Sequence, residues 1–509
     1  MADALAYDNH KSATENEDIC EKMAAKDADL GYSAVFPVDC AAKIANGDVY
    51  PLGVQFQNSI NEKGENYIKS RLTHDLSFPE VKLGGKLKRN LEKFGIMYPL
   101  AKKIKVPNLN SRCDNTTLTP CIYGQSLRQF CHLIGKNRLL CPSSRMMGTK
   151  IDCDKAYRRA HTSTNSAARN MAIVAGLLYV LFCLPFGAAP APPEGSIIME
   201  MIVDLATELV KYKSWDPSKL KSPWSVFSPK TSFDPVLQNP PIAYEMNVDV
   251  PVDDSCPAGV EGYVDDGIAV MAGDKDLMEH TYEYIPLATH VFFRPVKTDE
   301  PVHRPPPLSE TKCYGEGLMA EDKIFLGWQF FFNLHLIQLT QRKSDQYITD
   351  LTGMICTRET RTKQIESVVG KINVVGFVLP ATRHFTARLR RCIIKYKAGD
   401  NALDDEEIED SQLWIKFLRR AVEGVNINMA ANHPATGVCI SDACEIGIGG
   451  YTNNGIFWRF YLPVEWNGKL TLNILEYLAS FFTVEFELGD STHPFPVLDT
   501  RLDSTTADA

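Results

Sequence analysis

Two carboxylates stand side by side in Tyr263-Val264-Asp265-Asp266, within the stretch from Glu261 to Met271. Apolar runs on both sides of a tight polar tip predict a β-hairpin carrying acids at its turn. Adjacent aspartates repel, so keeping them together at a hairpin tip suits a divalent cation, although Asp-Asp-Gly is also ordinary turn chemistry. A further acid decides between the two. In Lys150-Ile151-Asp152-Cys153-Asp154-Lys155-Ala156-Tyr157, the alternation through Ile151 and Cys153 predicts a strand with Asp152 and Asp154 on one face. Carboxylates meeting on a sheet can hold a pair of Mg²⁺ (or Mn²⁺) ions about 3.5–4 Å apart, which activate a hydroxyl and neutralise a triphosphate.

The surrounding charge agrees with this chemistry. The net charge of −9 hides an asymmetry: residues 81–170 hold 18 Lys/Arg against 4 Asp/Glu, and residues 341–400 hold 12 against 5. Two basic segments around an acidic centre fit a phosphate-backbone track, while solvated faces are the plainer alternative. The 14 cysteines include no C-x-x-C pair, which argues against a zinc ribbon or redox motif. They are expected as reduced, mostly buried thiols of an intracellular protein.

The elements that must position these acids follow in order. Residues 1–58 start with polar, acidic residues, with no signal-peptide pattern, and are expected to be a poorly ordered extension. Leu127, Phe130, Cys131 and Ile134 have helical spacing. The apolar run Met171 to Phe186 is 16 residues long and broken by Pro185 and Gly187, too short for a membrane span and better read as a buried segment entering a turn. Glu200 to Val210 and Leu277 to Thr289 read as helices. Residues 215–258, with 8 of the 30 prolines, read as a surface insertion. Lys323 to Leu339 reads as a hairpin, and helices are expected around Ile365–Ile372, Arg383–Lys397 and Trp414–Val422. Strands at Val438–Ala443, Gly447–Tyr451 and Phe457–Phe460, then a helix over Leu472–Phe486, begin a new unit.

Four motifs in this order resemble a retrotransposon reverse transcriptase with a ribonuclease H segment, closest to the tyrosine-recombinase (DIRS-type) elements of protists. Asp152-Cys153-Asp154-Lys155-Ala156-Tyr157 resembles the first palm motif and Leu184-Pro185-Phe186-Gly187 the second. Tyr263-Val264-Asp265-Asp266 resembles the third, and Leu326-Gly327-Trp328 the primer-grip hairpin. The resemblance implies an α/β (α+β) right-hand polymerase. Fingers would span 59–149, palm 150–340, thumb 341–400 and a connection 401–435, followed by a partial ribonuclease-H-like domain at 436–509. It implies Asp152, Asp265 and Asp266 as metal ligands for Mg²⁺ or Mn²⁺. Arg71, Tyr157, Phe186 and Gly187 would bind the deoxynucleoside triphosphate, with Tyr157 as the steric gate against a ribose 2′-hydroxyl. Lys312 would protonate pyrophosphate, and the basic 383–397 helix would lie along an RNA template and DNA primer. At Pro192 to Ser196 the sequence departs from the pattern, which has an aromatic near Gly195.

The ribonuclease H likeness implies Asp442, Glu476 and Asp503 as ligands, in a domain whose later elements have no counterpart before Ala509. The expected activity is RNA-directed DNA synthesis in the cytoplasm or nucleus, without a membrane. The alternative is a catalytically inactive nucleic-acid-binding remnant. An RNA-directed RNA polymerase, disfavoured by Tyr157, and a membrane-anchored protein are more distant readings.

Overall fold

Ala13, Cys20, Ala24, Leu52 and Val54, within the stretch 1–58 expected as a poorly ordered extension, are buried in one core cluster. The computed structural model describes residues 9–60, 66–78, 81–82, 103–104, 108–112, 126–211, 233–243, 256–293, 307–397, 399–431, 435–466, 468–490 and 498–501. The chain divides into two compact units: Met1–Pro241, Asp253–Phe325 and Phe331–Leu334 form the first, and Ile242–Val252, Leu326–Phe330 and His335–Ala509 the second. In the first, helix α1 (Glu17–Asp29) has Cys20 and Ala24 one turn apart. That narrow apolar stripe packs with Leu52, Val54, Leu72, Val174 and Leu181. Strand β1 (Ser33–Pro37) follows, then β2 (Leu52–Ile60) and β3 (Asn66–His74), an antiparallel ribbon pairing Leu52 with His74. Charged residues around a two-residue stripe kept this helix out of the sequence reading.

The central sheet of this unit carries the acids. Helix α2 (Ser126–Leu140) leads into β4 (Met147–Asp152). The apolar run expected as one buried segment is two strands, β5 (Met171–Val174) and β6 (Leu177–Leu181). Ala175 and Gly176 join them, both at positive φ, as a tight hairpin turn requires; β1 pairs on the other side of β6. Helix α3 (Ala191–Lys211) starts nine residues earlier than its periodicity suggested, because Pro192 and Pro193 fall in the first turn, where a missing N–H costs nothing.

Strands β7 (Ala258–Tyr263) and β8 (Asp266–Met271) form the expected hairpin, with β8 central between β4 and β7. Asp266 is in register with both Asp152 and Tyr263. Helix α4 (Lys275–Phe293), α5 (Glu310–Gly315) and β9 (Asp322–Phe325) complete the unit. Ile151, Met199, Ile202, Met271, Tyr284 and Ile285 share one buried cluster, each such side chain contributing roughly 1.5–3 kcal/mol. The 215–258 insertion lies mostly outside the described residues.

Strand β10 (Trp328–Phe331) lies in the second unit up to Phe330, and β11 (Leu336–Leu339) follows in that unit. Helix α6 (Gln341–Thr357) was overlooked in the sequence, although Tyr347, Leu351 and Met354 bury at helical spacing. Helices α7 (Thr362–Val378), α8 (Ala387–Lys397) and α9 (Asp405–Glu423) follow. Asp404 and Glu407 form a capping box at the start of α9, satisfying donors that the first turn leaves open. Strand β12 (Val425–Asn426) pairs with β11. The last sheet has the order β15 (Phe457–Tyr461), β14 (Gly447–Thr452), β13 (Gly437–Cys444), β16 (Leu498–Arg501), with β16 parallel to β13. Helix α10 (Leu472–Asp490) packs on it through Leu475 and Ala479. Among the described residues no helix is long and apolar enough to cross a membrane.

Candidate active site

The hairpin tip is a two-residue turn, Val264-Asp265, with Val264 at φ 59°. A β-branched residue in the left-handed region is strained, and such strain collects at functional sites. The tip is tied to the end of β4 by the Cys153 N–H, which donates to the Asp265 carbonyl at 3.0 Å. Asp152 and Asp265 therefore come together from strands 113 positions apart in the sequence. They line one cavity of about 640 Å³, together with Arg71, Tyr157, Phe186 and Lys312.

Burial pushes the Asp152 carboxyl up to about 6, with Asp265 and Asp266 adding to the rise and the Lys312 ammonium opposing it. Burial also raises Asp265, reinforced by Asp266. For Lys312, burial acts downward, but its ion pair with the Asp152 carboxylate and the charges of Asp266 and Asp265 together leave the ammonium held above its ordinary value. Two carboxylates facing one cavity, each resisting ionisation, form the kind of donor set a divalent cation satisfies. Mg²⁺ accepts one or two protein carboxylates plus waters and substrate phosphates, so this pair fits it. Among the described residues no group of three or more His, Cys, Asp or Glu is placed to hold a metal.

Two expected members are placed otherwise. Asp266 is not among the cavity-lining residues; its Oδ2 lies 3.3 Å from the Lys150 ammonium, which also pairs with Glu316. Gly187 is likewise absent from the lining. At φ 115° a Cβ on it would collide with the His74 carbonyl oxygen, so glycine serves a close backbone approach there. Asp154 lies beyond the end of β4, not on the strand, yet still lines the cavity.

The other walls are positioned by the ribbon and by α3. The His74 N–H donates to the Phe186 carbonyl at 2.9 Å. That bond sets Phe186 beneath Arg71, whose guanidinium lies 5.6 Å from the ring centre, a cation–π distance. Among the described residues the Arg71 Nε is buried without a hydrogen-bond partner. Tyr157 stands in a 3₁₀ turn, Ala156–Arg159, its ring 6.4 Å from that of Phe186. A Cβ on Gly195 would lie 2.7 Å from the Tyr157 ring, so α3 supplies a seat that only glycine leaves open.

Residues the sequence reading missed also line the cavity: Lys22, Lys26 and Asp27 of α1, Lys69 of β3, and Lys155 and Arg158. For α1 the available signal was the i, i+4 spacing of Lys22 and Lys26, which puts both on one helix face; Lys155 lay within the quoted Asp152–Tyr157 motif.

In the second unit, Leu326 (φ 53°) and Gly327 (φ 82°) make a tight turn, and Trp328 is fully buried. The Lys343 ammonium donates to the Leu326 carbonyl at 3.2 Å. The basic 383–397 segment is partly neutralised within its own unit. Arg388 pairs with Glu406 and Asp410, and Lys395 with Asp404 and Glu407. Asp442 is exposed on β13, while Glu476 is buried on α10, its Oε2 without a hydrogen-bond partner among the described residues. Asp503 lies outside the described residues.

No family model matches the sequence, and no curated protein matches it either. Among solved structures, a foamy viral protease-reverse transcriptase in complex with double-stranded DNA superposes with a TM-score of 0.42 at 13% identity, covering 98% of this chain and 64% of that one. The foamy viral enzyme with an RNA/DNA hybrid gives 0.42 at 11% identity, covering 98% and 49%. A further double-stranded DNA complex gives 0.39 at 12%, covering 98% and 84%. The chain thus spans less than two thirds of the first two structures.

Proposed function

We propose that the chain is an RNA-directed DNA polymerase of the DIRS-type retrotransposon kind, adding deoxynucleotides to a DNA primer on an RNA template. One observation carries the reading: Arg71, Asp152, Tyr157, Phe186, Asp265 and Lys312, drawn from separate stretches of sequence, line a single cavity. A solvated turn or a surface cation would not predict that convergence. In the proposed reaction the primer 3′-oxygen attacks the α-phosphorus of the incoming nucleotide and pyrophosphate leaves.

Asp152 and Asp265 would hold Mg²⁺ or Mn²⁺. Such an ion, when bound, lowers the pKa of an attacking hydroxyl and neutralises phosphate charge. The side chains of the cavity do the rest. Arg71, with a buried donor unsatisfied among the described residues, grips the triphosphate with a fixed fork of N–H groups. Tyr157 presents a flat ring to the sugar and crowds a 2′-hydroxyl. Lys312 keeps its proton at working pH and delivers it to the leaving pyrophosphate. For ribonuclease H the described residues offer an exposed Asp442 and a buried Glu476, and no cleavage step is assigned to them.

The test is extension of a labelled DNA primer on an RNA template, with wild type beside Asp265→Asn. Extension by wild type and its loss in the variant support the reading. Tight template–primer binding without extension by either supports the inactive-remnant alternative.

A further inference from the structure

One carboxylate of the N-terminal helix reaches both ends of the turn that carries Tyr157. Asp27 Oδ1 lies 3.2 Å from the Lys155 ammonium and Oδ2 lies 3.2 Å from Arg158 Nη2. All three side chains are largely shielded, at 17%, 26% and 12% exposure, so this bridge is less screened than a surface ion pair. Lys155 also lies 5.1 Å from the Tyr32 ring centre, just beyond the same helix. The N-terminal segment therefore holds Lys155 through two contacts.

That hold has work to do, because Lys155 sits at φ 54°, a left-handed conformation that an L-residue with a side chain resists. Asp27 and Tyr32 fix the residue there, and the chain then turns tightly through Tyr157. On its other side, the Tyr157 ring rests against α3 at Gly195. The gate is thus set between a rigid helix and a strained turn, and the turn is anchored by one carboxylate. Without the Asp27 charge, two cations three residues apart lose their shared counterion and repel. Among the described residues the Arg158 Nη1 is buried without a hydrogen-bond partner.

We propose that Asp27 is a positioning residue: it anchors the Ala156–Arg159 turn and thereby sets how strictly Tyr157 separates deoxyribose from ribose. The assignment rests on the polymerase reading above, and it makes the N-terminal helix part of substrate selection. Asp27 lines the cavity wall and acts on the gate through the turn, by its pairs with Lys155 and Arg158.

The experiment is a double-mutant cycle on single-nucleotide incorporation. It reads the ratio of kcat/KM for a deoxynucleotide to that for the matching ribonucleotide. Asp27→Asn is expected to lower the ratio about tenfold, and Asp27→Glu, which keeps the charge, to restore most of it. On a Tyr157→Ala background, Asp27→Asn is expected to change the ratio by no more than about twofold. Lys155→Gln, which cuts one arm of the bridge, gives a smaller fall and covers the case in which Asp27→Asn fails to fold. An unchanged ratio in Asp27→Asn or in Lys155→Gln, or an equal fall with and without Tyr157, overturns the assignment while leaving the polymerase reading intact. Absence of extension by wild type refutes both.

Discussion

Gly195→Ala adds one methyl group where α3 meets the Tyr157 ring. The ideal Cβ position is 2.7 Å from both Cδ1 and Cε1 of that ring. Carbon–carbon contact is comfortable from about 3.5 Å, so the ring must retreat by about 0.8 Å. Two effects on stability oppose each other. Alanine gains about 1 kcal/mol in helix propensity over glycine, while overpacking costs about 1–3 kcal/mol. The net loss is therefore at most about 2 kcal/mol, a shift of a few degrees in melting temperature. Function is hit harder, because a displacement near 1 Å in a group that orients substrate costs about 100-fold in rate. Thermal melting and steady-state deoxynucleotide incorporation, run on the same preparation, separate the two. A large fall in kcat/KM with a nearly normal melt is expected. A variant that melts normally and incorporates like wild type would show that the ring has no fixed seat on α3, and the gate argument would fail.

Three further substitutions probe the scaffold. Burial pushes Glu261 up to about 7, with Glu200 adding to the rise and the Gly262 N–H opposing it. The folded state then keeps a proton that the unfolded chain releases above pH 4.5, so stability falls as pH rises from there to about 7 and is level beyond. Glu261→Gln should flatten a profile worth about 2 kcal/mol once solvent screening is allowed for, as read from urea midpoints across that window. In the second unit, Glu407 is fully buried, accepts from Lys395 at 3.0 and 2.9 Å and closes the α9 capping box. Glu407→Ala should cost about 3 kcal/mol by leaving Lys395 without that partner and opening the cap, whereas Asp404→Ala costs about 1 kcal/mol; denaturant titration ranks the two.

The parts of the site that were legible in the sequence lie on periodic elements. The hairpin at 258–271 alternates and ends in a tight acidic tip, so its form and the facing of Asp265 toward Asp152 could be anticipated. Asp154 could not be placed, because the end of β4 is set by the backbone bonding of Cys153 and Asp154 to Asp265 and Pro307, partners far away in sequence. The N-terminal helix was missed for a different reason. Its buried stripe is two small residues, Cys20 and Ala24, and its value comes from a core supplied by strands 30 to 160 residues later. Asp27 shows the limit most plainly, since nothing near it in sequence hints that it meets Lys155 and Arg158. Gly187 was assigned to the pocket by motif alone, and the structure gives it a backbone contact with His74 instead.

The most direct measurement for the central claim is Mg²⁺-dependent extension of a DNA primer on an RNA template, with binding of the template–primer measured in parallel. Wild type should extend, while Asp265→Asn and Asp152→Asn should each lose extension by a factor of a thousand or more, on the order expected for removing a ligand of a catalytic metal, with binding held within about threefold. Full extension by either variant would contradict the assignment of this carboxylate pair as the catalytic centre.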